Sequence, residues 1–151
     1  MSKNIGFLLP SLNSEQHAAI ITHISKLINH NRDKNIIIFS NTPKVVIPNN
    51  IPVLSIKESK YFKGKLFVFD LLSALIATKF ATQEKYFWVG QAIFWQNQPY
   101  ENFHVFKTIF DQEDMSLIVQ NQQVSDIYEI CYKKPKYILE EFSHEKLQAI
   151  I

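Results

Sequence analysis

The chain is 151 residues long, 46% hydrophobic and 20% charged, with 16 basic against 14 acidic side chains and a formal charge of +2. That length suits one domain over 1–151, and the composition excludes a disordered, repetitive or low-complexity chain. A small net charge carried by scattered lysines argues against a nucleic-acid partner, no apolar run approaches the ~18 residues of a membrane span, and a single cysteine excludes an internal disulfide and fits a reducing cytoplasm.

The first apolar run, residues 4 to 9, reads as a strand covered on both faces and ended by Pro10. Asn13 or Ser14 then caps a helix, with Gln16 placed as in a capping box and Ile20, Ile24, Leu27 and Ile28 forming a stripe at helical spacing. After the polar turn NHNRDKN, Ile36 to Phe39 form a second strand, so this strand, helix, strand unit predicts a right-handed crossover and parallel pairing.

Residues 51 to 56 predict a short third strand that Pro52 moves to a sheet edge or to a strand start. Lys57, Lys60, Lys63 and Lys65 follow, and they read as a solvated loop rather than a phosphate patch. Leu66 to Phe69 predict a fourth strand, with Asp70 capping a helix to Phe80, although LFVFDLLSALIATKF also fits one continuous helix.

Residues 85 to 89 are a fifth strand, left through Gly90-Gln91 into the aromatic loop AIFWQNQPY, and a helix is expected from Tyr100 to Asp111. Residues 116 to 119 form a sixth strand, and Asn121 or Ser125 caps a helix whose apolar pattern of Val124, Ile127, Tyr128 and Ile130 makes Cys131 a small core residue. A short last strand at 137 to 139 precedes EEFSHEKLQAII, which reads as one amphipathic helix with apolar residues in need of cover.

Strands alternating with helices throughout predict a three-layer α/β/α fold: a Rossmann-like, doubly wound, mainly parallel sheet with helices on both faces. Ligands of such sheets sit beyond the carboxyl ends of the strands, which directs attention to Pro10 to His17, Ser40 to Lys44, Asp70, Gly90 to Trp95 and Gln120 to Gln123. The first of these loops has neither the G-x-G-x-x-G of a dinucleotide site nor the G-x-x-x-x-G-K-[ST] of a triphosphate site, and backbone approach to a pyrophosphate needs glycine.

Ser11, Asn13, Ser14 and His17 instead offer hydroxyl, amide and imidazole groups for a sugar, or simply cap the helix. Gln91 and Trp95, beside Phe94, Gln96, Asn97, Gln98 and Tyr100, suit stacking on a sugar or base ring, or an aromatic lid on the core. Asp70 is a helix cap or a site acid, and His104 is expected half-buried beside the core. His17 and His23 fall about 240° apart on a helix, so no metal site is expected.

FLLPSLNSEQHAAIITHISKLINHNRDKNIIIFSN resembles the amino-terminal half of GT-B-fold glycosyltransferases: an apolar strand, a proline-bearing loop, a helix, a polar turn and a second apolar strand. SLIVQNQQVSDIYEICYKKPKYILEEF is similar to a later part of that half. The family's usual glycine pair is absent at Asn13-Ser14, and the histidine many members carry at the end of a middle strand aligns with Gly90-Gln91.

The resemblance implies an acceptor-binding half, with Ser11, Asn13, Ser14, His17, Asp70, Gly90, Gln91 and Trp95 as candidate contacts to a sugar or glycan acceptor. It implies no cofactor held by this chain alone, since the nucleotide-sugar belongs to a second domain with an acidic E-x7-E signature; a donor-domain partner or a homo-oligomer is the assembly expected. A non-catalytic interaction module and a small mononucleotide or flavin binder remain the alternatives.

Overall fold

The computed structural model describes residues 3–12, 15–42, 47, 51–80, 84–96, 99 and 102–151. The apolar runs form strands β1 (Asn4–Leu8), β2 (Asn35–Ser40), β3 (Val53–Ser55), β4 (Lys65–Val68), β5 (Glu84–Gly90), β6 (Met115–Val119) and β7 (Tyr137–Ile138). The helices are α1 (Glu15–His30), α2 (Leu71–Ala77), α3 (Phe103–Phe110), α4 (Gln122–Cys131) and α5 (His144–Leu147), with a 3-10 helix over Ile56–Tyr61.

The strands lie in one sheet in the order β3-β2-β1-β4-β5-β6-β7, and every pairing is parallel. The order runs outward in one direction from β1 and then in the other from β4, which is the doubly wound, Rossmann-like arrangement with its switch point between these two strands. Successive side chains of a strand point to opposite faces, and both faces are buried. On one face Ile5, Phe7, Ile36, Ile38 and Phe67 pack with Ile20, Ile24 and Leu27 of α1 and with Leu147 and Ile150. On the other, Leu8, Leu66, Val68, Phe87 and Leu117 pack with Ala74 of α2, Phe106 and Phe110 of α3, and Tyr128 of α4. Covering both faces is why the strands read as continuous apolar runs rather than as alternating ones.

Local signals account for most element ends. Asp70 caps α2 by accepting from the Ser73 backbone N–H at 2.8 Å, and this separates β4 from α2 where periodicity allowed one long helix. Asn121 caps α4 in the same way through the Val124 N–H at 3.0 Å. β3 is an edge strand beginning just after Pro52, whose carbonyl accepts from the Ile38 N–H at 2.9 Å. The caps expected at Asn13 and Ser14 lie outside the described residues.

Several expectations are corrected. Cys131 is exposed, not a core residue: it is the last residue of α4, which buries Val124, Ser125 and Tyr128, while Ile127 and Ile130 turn outward and Ile130 is 84% exposed. At the end of α4 it is Tyr132, not Cys131, that packs against Trp95 and Phe110. His104 is exposed on α3, whose buried face is Phe106, Ile109 and Phe110. Lys65 belongs to β4 rather than to a solvated loop, and its buried ammonium donates to the Ile150 carbonyl at 2.6 Å.

The tail is not one helix. Ser143 caps the single turn α5, and the chain then folds so that Leu147 and Ile150 are buried on the α1 face of the sheet; its apolar residues are covered by this chain itself. No helix among the described residues is long and apolar enough to cross a membrane.

Candidate functional site

The switch point brings the carboxyl ends of β1 and β4 side by side, with β2 flanking one and β5 the other. Four of the loops selected from the sequence, after β1, β2, β4 and β5, therefore converge at one end of the sheet. The turn after β1 is fastened to the end of β2: the Leu9 N–H donates to the Phe39 carbonyl at 2.9 Å, and the Pro10 carbonyl accepts from the Asn41 N–H at 3.1 Å and from the Ser40 hydroxyl at 3.3 Å.

His17, buried in the first turns of α1, hydrogen-bonds through Nδ1 to the Ser11 carbonyl. A carbonyl can only accept, so Nδ1 carries the hydrogen, and in the neutral ring the lone pair lies on Nε2. The backbone geometry of the first loop thus selects one imidazole tautomer. Asn13 and Ser14, on the same loop, lie outside the described residues.

Across the switch point, both carboxylate oxygens of Asp70 are engaged by Ser73, one with its N–H and one with its hydroxyl, each at 2.8 Å. Asp70 holds the start of α2 in place. Gly90 ends β5 with φ of +65°, a left-handed conformation that favours glycine, and its carbonyl accepts from the Gln120 N–H at 2.9 Å. Gln91, next in the chain, is exposed.

Trp95 faces the core: its ring makes edge contacts with Tyr128 at 4.9 Å and Tyr132 at 5.0 Å, while Phe94 stacks on Phe87 at 5.5 Å. The Tyr128 hydroxyl donates to the Ala92 carbonyl at 2.8 Å, and burial pushes that phenol well above its ordinary pKa. The aromatic loop is therefore a lid on the core that fixes the path of the chain after Gln91. Asn97, Gln98 and Tyr100 lie outside the described residues.

Two features escaped the sequence reading. His23 and His30 of α1 flank His144 of α5, with ring centroids 6.1 and 5.3 Å from it. Residues seven apart span about 10.5 Å along a helix, too far for one ion to bind both, and among the described residues no three His, Cys, Asp or Glu side chains are grouped to hold a metal. The cluster joins α1 to α5, a pairing that spacing along the chain does not encode. The second feature is a cavity of about 690 Å³ at the opposite, amino end of the strands, bordered by Asn4, Lys34, Asn35 and Lys63.

The chain matches no family model, and no curated protein or solved structure is significantly similar to it.

Proposed function

We propose that the chain is the acceptor-binding half of a glycosyltransferase, taking up sugar or glycan hydroxyls at the carboxyl ends of β1, β4 and β5 while a partnering domain holds the nucleotide-sugar. The observation that carries this reading is the His17 to Ser11 hydrogen bond at the switch point. That bond fixes the His17 imidazole at the start of α1, and a positioned imidazole is the kind of group an attacking hydroxyl needs as it loses its proton. Ser11 and Gln91, exposed on the loops after β1 and β5, supply hydrogen-bonding groups for the neighbouring hydroxyls.

The first loop favours a neutral ligand. Without glycine it keeps side chains between its backbone and any phosphate, so the donor's diphosphate is assigned to the other domain. In this reading Asp70 and Trp95 act by position, the first by anchoring α2 and the second by holding the loop that presents Gln91.

The test is titration of isotopically labelled protein with methyl hexosides and short oligosaccharides, followed by NMR. Acceptor binding moves the amide signals of Ser11, Leu12, Leu71 and Gln91 and the ring signals of His17, and His17→Gln abolishes transfer when the donor domain is supplied. If no hexoside or oligosaccharide moves these signals, the reading is rejected.

A further inference from the structure

One cavity lies at the amino end of the strands, away from the site above, where β2 begins before β3. β3 enters the sheet only at Val53, opposite Ile38, so Asn35 to Ile37 of β2 have no β3 residue beside them. Ile28 of α1, Ile51 and Phe62 wall the space that results, about 690 Å³ in volume. A second groove of about 340 Å³ shares Ile37, Tyr61 and Phe62 with it and continues along β2 to Phe39 and Leu54. The two spaces adjoin at these residues, both are mainly apolar and open to solvent, and Leu54 and Tyr61 on their border remain 36% and 74% exposed.

The larger cavity carries the basic charge, and the second groove carries one acid, Glu58. Lys34 and Lys63 stand at the mouth of the larger cavity, and none of its described lining residues is acidic. Asn4 and Asn35 bind each other at 3.0 Å, and Asn4 also donates to the Lys63 carbonyl at 3.1 Å, so the polar border is held in place by the protein. Glu58, the acid of the second groove, is occupied at 2.8 Å by the Ser55 N–H of a capping box.

We propose that these two adjoining grooves act as one channel that binds a single-chain anionic amphiphile of the medium-chain fatty acid class, with its carboxylate beside Lys34 and Lys63 and its chain along β2 towards Leu54. Apolar walls with a few polar groups at one end are the usual make-up of a small-ligand site, and the volume lies within the ~300–1,000 Å³ range of such sites. The two ammonium groups set the sign of the head, and the continuation of the channel favours an extended chain over a compact ring. This binding is independent of the acceptor site.

The probe is decanoate, used below its micelle concentration and compared with decyltrimethylammonium and hexanoate by calorimetry and amide NMR. Decanoate should shift the amides of Ile36, Ile37, Phe62 and Lys63, and hexanoate, which leaves the second groove empty, should bind more weakly. The double variant Lys34→Glu, Lys63→Glu should lose about tenfold or more in decanoate affinity and gain for decyltrimethylammonium. Ile37→Trp, which fills the channel, should abolish both. Equal binding of the two ten-carbon amphiphiles, decanoate affinity unchanged in the double variant, or shifts centred elsewhere would each overturn the proposal.

Discussion

Asp114→Ala should destabilise the protein more than Lys85→Met, although the two substitutions break the same ion pair. Lys85 is 1% exposed and its ammonium reaches the Asp114 carboxylate at 2.7 Å, while the Asp114 side chain is 41% exposed. Removing the aspartate leaves a buried cation without its anion. A fully buried pair broken in this way costs ~3–5 kcal/mol, and access of water on the aspartate side brings the expectation here to about 2–3 kcal/mol. Lys85→Met keeps the stem in the core, removes the charge that needed desolvation and leaves Asp114 to water, so its cost should stay within about 1 kcal/mol. For a chain of this size the aspartate variant should melt roughly 4–12 °C lower. Urea unfolding at neutral pH measures both through the midpoint, with the slope unchanged. If Lys85→Met proves as costly as Asp114→Ala, desolvation of the ammonium is not the dominant effect, and the reasoning fails.

Acid should weaken the attachment of the tail. Burial, the Lys26 ammonium and His144 hold His23 below its ordinary pKa of 6.5, against the opposing pull of Glu141. A folded-state pKa below the unfolded one means that the unfolded chain takes up the proton first as pH falls, so the stability His23 contributes is complete above about pH 6.5 and declines below it. Urea midpoints at pH 7.5 and 5.5 should therefore differ less in His23→Phe than in the unaltered protein; an identical difference would refute this. Leu147→Ala, at a fully buried site in α5, should cost ~2–5 kcal/mol by thermal or urea unfolding if the tail is integral to the core, and near zero if it is not. Gly64→Ala would place a Cβ 2.3 Å from the Asn4 carbonyl oxygen, a backbone atom, and should cost ~1–3 kcal/mol or more. Gly6→Ala meets only side-chain atoms at 3.0–3.2 Å and should be milder, a ranking that melting temperatures will check.

Asp70 shows what a local signal can carry. A capping oxygen and the backbone N–H it serves lie within three residues, so Asp70 offered a boundary between β4 and α2 that periodicity alone left open and the structure decided. The apolar runs likewise announced strands covered on both faces, and their alternation with helical stripes announced a doubly wound sheet. Ile127 and Ile130 show where this fails: the angular pattern of α4 allowed more than one buried stripe, and only the sheet beneath chose Val124 and Tyr128. Lys65 was misread because a charged residue in a lysine-rich segment looks solvated, and its partner, the Ile150 carbonyl, lies 85 residues away.

By itself, then, the sequence determined the kind of most elements, many of their ends and the class of fold, because those depend on caps, breakers and periodicity within a few residues. The tertiary structure alone decided which strands adjoin, and so that the loops after β1, β4 and β5 share one end of the sheet. It alone packed Trp95 against Tyr128 and Tyr132, set His144 between His23 and His30, and opened a cavity where β3 begins later than β2. Each of these rests on contacts between distant segments, whose geometry is settled when the sheet assembles and not by the residues next to them.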